Sequence, residues 1–170
     1  MLAKNVPVPT RLQKRPLDER GFLITYVTTI GTDGKPDFRI IDHFKVIECI
    51  EERICGLCGE SIGPLVSLIG GEECVVRRQF SDPPMHPECA RYASQVCPFL
   101  TNQNAKYHNR DNPPAGIEVF SLPHISSQRP KRMAIYTTRA YDIMRFRTPG
   151  SRMVHCAIKP QKAVLKLEWF

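Results

Sequence analysis

No run of about 18 apolar residues occurs in this 170-residue chain, which excludes a membrane-spanning helix. The opening Met1-Leu2-Ala3-Lys4-Asn5-Val6-Pro7-Val8-Pro9 lacks the apolar stretch of a secretory signal and runs into charged residues, so the expected location is the cytoplasm. Internal repeats and low-complexity segments are also absent. So are a Gly-rich phosphate loop, a Ser-His-Asp order and a paired-carboxylate motif, which leaves no support for a nucleotide hydrolase, an esterase or a glycosidase.

Apolar residues make up 42% of the chain, enough for one core with irregular loops, or for two small lobes sharing one metal module. Seven cysteines without a signal peptide, and odd in number, point to reduced thiols or metal ligands rather than to a disulfide framework. Lys and Arg total 24 against 17 Asp and Glu, a net charge of +7, and Arg outnumbers Lys by 15 to 9. Such a balance suits phosphate-bearing or acidic partners, and equally suits simple solubility.

Residues 1–20, rich in Pro and basic side chains, read as an extended N-terminal arm ahead of a single domain over 21–170. Phe22–Thr29 and Asp37–Ile41, around Thr32-Asp33-Gly34, read as a hairpin. Asp42 can cap a helix through about Glu52, with Phe44, Ile47 and Ile50 on its apolar face. Ile62–Ile69 and Cys74–Phe80 flank Gly70-Gly71 and predict a second hairpin, with a helix from about Pro87. Leu100–Pro114 reads as a polar, insertion-tolerant loop. Beyond it Gly116–Leu122, Met133–Arg139, Tyr141–Arg147 and Met153–Ile158 read as strands, with a turn over Thr148–Ser151; Ala163–Phe170 is either a strand or a short helix.

The most specific feature is Cys55-Gly56-Leu57-Cys58-Gly59, a knuckle that turns two thiolates toward one ion, followed one hairpin later by His86-Pro87-Glu88-Cys89. Pro87 suits a first helical position, and the three-residue offset puts His86 and Cys89 on one side of that first turn. Cys55, Cys58, His86 and Cys89 together predict one structural Zn2+ per chain, because three thiolates and one imidazole make a closed set. The expected fold is α+β: a treble-clef-like zinc module over about 54–100, with flanking antiparallel β-hairpins and two helices, and a C-terminal β region over about 115–170. A redox pair is disfavoured because Gly59 to Pro64 breaks the helix such a pair would open. Cys97 or Cys74 could replace His86, but Cys97 lies roughly 12 Å beyond Cys89 along a continuous helix. Cys49, Cys74, Cys97 and Cys156 otherwise read as small buried hydrophobes.

Asp18–Gly21, Gly34–Arg39, Cys55–Gly59, Pro83–Ala90, Cys97–Leu100, Tyr136–Tyr141 and Glu168–Phe170 together give the chain a pattern that resembles an uncharacterised family of small zinc-knuckle proteins from bacteria and bacteriophages. The resemblance implies a zinc site and a bacterial or phage origin, and carries over no activity and no catalytic residue.

Three functions fit. Arg132, Arg139, Arg145 and Arg147, interleaved with Tyr141, predict a nucleic-acid surface on the C-terminal strands, or else an outer face that is merely solvated. A rigid zinc-stapled scaffold also suits a phage-type factor that binds a host enzyme, nucleoprotein or defence complex. Third, an HNH-like metal-dependent nuclease needs a free His and ligands for a second metal, and His43, His108, His124 and His155 are scattered.

Overall fold

A computed structural model of the chain describes residues 6–105, 128–147, 153–161 and 163–170, apart from the Arg39 side chain. The predicted strand at Gly116–Leu122, the turn at Thr148–Ser151 and most of the polar loop lie outside the described residues. Strands β1 (Thr28–Ile30) and β2 (Pro36–Ile41) form the first hairpin. β1 starts later than the apolar run predicts because its leading residues have other partners. Leu23 bridges back to Leu17, while the amides of Tyr26 and Val27 donate to the carbonyls of Leu57 and Gly56 in the knuckle.

Helix α1 (His43–Glu52) follows at once. The Asp42 carboxylate accepts from the amides of Phe44 (3.0 Å) and Lys45 (3.2 Å), a cap worth about 1 kcal/mol. Its buried face is Val46, Cys49 and Ile50, with Ile47 packed against the core, so of the stripe expected from spacing only Phe44, 74% exposed, turns outward. Position in the fold decides this. Tyr141 donates its hydroxyl to the Ile50 carbonyl (2.7 Å) and the imidazole Nε2 of His43 meets the Val154 carbonyl (3.1 Å), which turns the helix toward the C-terminal strands.

The second expected hairpin does not form. Val66–Gly71 is strand β3, but Glu72–Arg77 is helix α2, and Gly70 and Gly71 belong to the strand. A Cβ on Gly70 would stand 2.6 Å from the Cys74 Cβ and 2.9 Å from the Phe80 ring, and one on Gly71 would strike Pro130. These glycines therefore serve close packing and not a turn. Glu72 and Glu73 sit in the first turn of α2, where carboxylates favour a helix start.

Helices α3 (Pro87–Val96) and α4 (Pro98–Thr101) come next, separated by the extended Cys97. Then follow β4 (Met133–Thr138), β5 (Tyr141–Arg147), β6 (Val154–Pro160) and β7 (Lys166–Trp169), so the closing octapeptide resolves as a strand. β3 pairs with β4 from Val66↔Thr138 to Gly71↔Met133, in a sheet of order β3-β4-β7; β5 and β6 make a separate pair. Buried Ser67 and Thr137 face each other and share a 2.8 Å hydrogen bond. The result is a mixed α+β protein with small antiparallel sheets and few helices. Fully buried Phe80 ties them together, exchanging backbone hydrogen bonds with Ile158 of β6 and stacking 5.4 Å from Tyr136 of β4.

Between α2 and α3, Asp82 keeps some exposed surface while its carboxyl group turns inward, and burial pushes its pKa from 3.8 up to about 6. A raised acid opposes folding above its folded pKa, and the penalty fades as pH falls from about 6 toward 4. Asp82→Asn is therefore expected to stabilise the protein by about 1–2 kcal/mol at pH 7.5, the difference shrinking to about a third of that at pH 4.5, as measured by urea unfolding. An equal difference at both pH values would contradict this account.

Candidate metal centre

The knuckle is a closed loop of hydrogen bonds. After α1, Arg53 takes the left-handed conformation (φ 54°), and Ile54 bridges to Ser61 across the loop. The Cys55 amide donates to Glu60 (2.9 Å), the Gly59 amide returns to Cys55 (2.8 Å), and the Gly56 amide reaches Pro84 (2.9 Å) on the segment carrying the second ligand pair. Gly59 has φ +79°, and a Cβ there would lie 2.7 Å from the Tyr26 ring. Glycine is needed at this position for both conformation and space.

The second pair is delivered from β3. Ser67 and Met85 exchange backbone hydrogen bonds of 2.9 Å each, which fixes His86 as the residue before α3. Pro87 occupies the first turn and the Ala90 amide donates to the His86 carbonyl (2.9 Å), so His86 and Cys89 bracket that turn as predicted.

The donor atoms of Cys55, Cys58, His86 and Cys89 all lie within 4.8 Å of one another, and all four residues are buried. The His86 Nε2 lies 3.1 Å from the Ser61 carbonyl, an acceptor, so Nε2 carries the proton and Nδ1 presents its lone pair, 3.5 Å from the Cys58 sulfur. Tetrahedral zinc at ordinary bond lengths would separate a sulfur and a nitrogen ligand by about 3.5 Å. Amides of Cys58 and His86 donate to the Cys55 sulfur, and that of Glu60 to the Cys58 sulfur.

Without a cation the cluster holds one negative sulfur easily and more only at a cost. Hydrogen bonds from Cys58 and Cys89 hold the Cys55 thiol far below the usual range, and that same neighbour pushes Cys58 up to about 11 and Cys89 higher still. A bound divalent cation removes the conflict by stabilising all three thiolates. The arrangement is consistent with a metal site.

The remaining cysteines lie outside this cluster. Cys97 ends α3, so the continuous helix assumed from spacing is broken there, while Cys49, Cys74 and Cys156 are buried. Burial raises the thiol pKa of Cys49 to about 12 and that of Cys74 to about 11. Among the described residues no other group of three or more His, Cys, Asp or Glu side chains could hold a metal. His43 and His155 pack with ring centroids 4.8 Å apart, a pairing that spacing did not reveal, and His108 and His124 lie outside the described residues.

The five residues of the predicted nucleic-acid surface differ in what they contact, and Arg145 and Arg147 are exposed on β5 two residues apart. Tyr141 is committed to the Ile50 carbonyl, with the Arg53 guanidinium 5.4 Å from its ring. Arg145 pairs with Glu51 of α1 (2.7 Å); Arg132 lies 4.4 Å from the Trp169 ring and 3.6 Å from Glu72. Arg139 sits in the turn between β4 and β5 and not on the β5 strand, so it does not alternate with Arg145 and Arg147 as expected. Arg139 and Arg147 are exposed, and neither forms an ion pair among the described residues.

No family model matches the chain, and neither a curated protein nor a solved structure matches it. Among the described residues no helix is long and apolar enough to cross a membrane.

Cys58→Ser is expected to lose the bound metal and about 5 kcal/mol or more of stability, a fall in Tm of at least about 10 °C, because metal binding is coupled to folding. Cys97→Ser, outside the cluster, should cost about 1 kcal/mol with metal content unchanged. Elemental analysis and thermal melts of the two variants side by side check both statements.

Proposed function

We propose that this protein is a non-catalytic, zinc-stabilised binding protein that contacts nucleic acid through exposed arginines of its C-terminal β region. The observation that carries the zinc assignment is the buried three-sulfur, one-nitrogen set, with a 3.5 Å nitrogen-to-sulfur separation that suits a tetrahedral ion. Cys55, Cys58, His86 and Cys89 would hold the ion, and a set closed by four protein donors supplies folding energy rather than an activated water. The module is treble-clef-like in its knuckle and its ligand-bearing helix, with α2 standing in place of the second hairpin strand.

Nucleic acid is favoured by Arg139 and Arg147, exposed guanidinium groups open to phosphate, and the +7 net charge is compatible with it. Arg132, lying over the partly exposed Trp169, adds a platform on which a base could stack. A second reading, a phage-type factor that binds a host protein, draws on a different observation: Ile30, Phe38, Ile41 and Phe44 of the first hairpin and α1 are 41–74% exposed. Partner proteins cover side chains of this kind.

Elemental analysis is expected to find one zinc per chain. A labelled single-stranded oligonucleotide should bind with an affinity that falls steeply as salt rises, and Arg139→Gln with Arg147→Gln should lower the slope of log K against log salt by about 1.5. An unchanged slope and affinity would remove these arginines from the interface. Failure of the parent protein to bind at 50 mM salt, joined to a stoichiometric protein complex lost in Phe44→Asp, would establish the second reading instead.

A further inference from the structure

Residues 6–20 do not project as a free arm. Leu12 is fully buried in the core, held in a tight turn by its amide's 2.8 Å hydrogen bond to Pro9. Beside it the guanidinium of Arg11 reaches two carboxylates at once, Glu60 (2.5 Å) and Glu88 (2.9 Å), and Lys14 approaches Glu60 (3.6 Å). Glu60 closes the knuckle, its carbonyl accepting from the Cys55 amide, and Glu88 directly precedes Cys89 in the first turn of α3. One side chain of the N-terminal segment therefore spans both halves of the ligand set. Further along, Leu17 bridges Leu23 and the Arg15 guanidinium donates to the Ile24 carbonyl (3.0 Å), while toward the N-terminal end an open groove of about 660 Å³ separates Pro7, Val8 and Pro9 from Glu60 and Glu88.

We infer that residues 6–20 form a strap whose docking is coupled to metal occupancy, bound while the four ligands are drawn together and released when the ion is lost. The inference rests on the zinc reading of the site. Its physical basis is distance. Glu60 and Glu88 belong to separate segments, and the gathered ligand set, together with the Gly56 bond to Pro84, keeps them close enough to share one guanidinium. Linkage then runs both ways: whatever factor the ion adds to strap docking, the docked strap adds to ion affinity. Release would uncover Leu12 and the apolar surface it covers.

The test uses the full chain loaded with zinc and limited trypsin digestion followed by mass spectrometry, with zinc affinity measured by competition against a chromogenic chelator. In Arg11→Gln, cleavage after Lys14 and Arg20 is expected to rise about five-fold with cleavage elsewhere unchanged, and zinc affinity to fall by a similar factor. Arg11→Lys, whose ammonium satisfies fewer of these contacts, should fall between. Because the variants are compared in their zinc-loaded state, global unfolding of metal-free protein does not enter. Equal cleavage of parent and Arg11→Gln, or equal zinc affinity, overturns the coupling while leaving the zinc reading intact. A folded parent protein that binds no zinc overturns the zinc reading and the coupling with it.

Discussion

Three thiols and an imidazole buried within 4.8 Å of one another form the constraint on which the rest of this structure turns. Such a cluster is unfavourable as bare side chains, since each added thiolate is opposed by the first and none is reached by bulk water. The surrounding backbone is arranged to relieve it, with amides of Cys58, Glu60 and His86 aimed at sulfur and the Ser61 carbonyl fixing the imidazole. These groups hold the ligands in place but supply no full positive charge, which a divalent cation would add.

The sheets explain why so much depends on one site. Each contains two or three strands, a size at which pairing alone is marginal in water, and the β3-β4 pair joins segments more than 60 residues apart in sequence. Gathering the ligands fixes the Gly56 amide against Pro84, and Met85 against Ser67, so the metal module and β3 are set by the same contacts. The knuckle also receives the amides of Tyr26 and Val27 just before β1. Order therefore spreads from the ligand cluster into the first hairpin, β3 and α3.

What the sequence reveals follows from how local each cause is. The knuckle, the Pro87 helix start, the Asp42 cap and strands β4 to β6 depend on neighbouring residues, and all are legible from spacing and residue type. The hairpin at Gly70-Gly71 was misread because a glycine pair admits two explanations, positive φ or close approach, and only the positions of Cys74, Phe80 and Pro130 choose between them. On α1 the expected Ile47 and Ile50 do face the core and only Phe44 does not, since the apolar periodicity is broad and the facing strands set the rotation. The Arg11 link to Glu60 and Glu88 leaves no trace in sequence at all, because it joins residues 49 and 77 positions apart.

The arginines bear on function by the same logic. Charge counting treats each guanidinium as available to a phosphate, yet many here connect parts of the protein. Arg15 donates to the Ile24 carbonyl, Arg53 to Gly63, Arg78 to Pro160, and buried Arg129 to Phe99 and Leu100. A chain with short elements and long connections leaves many carbonyls outside regular ladders, and a planar group with several fixed donors satisfies them better than an ammonium does. The excess of Arg over Lys thus has a structural cause independent of any ligand, and net charge alone carries little weight for nucleic acid. The weight falls on position instead: Arg139 in its turn and Arg147 at the end of β5 connect nothing among the described residues, so the contacts that tie Arg15, Arg53, Arg78 and Arg129 into the fold have no counterpart at these two.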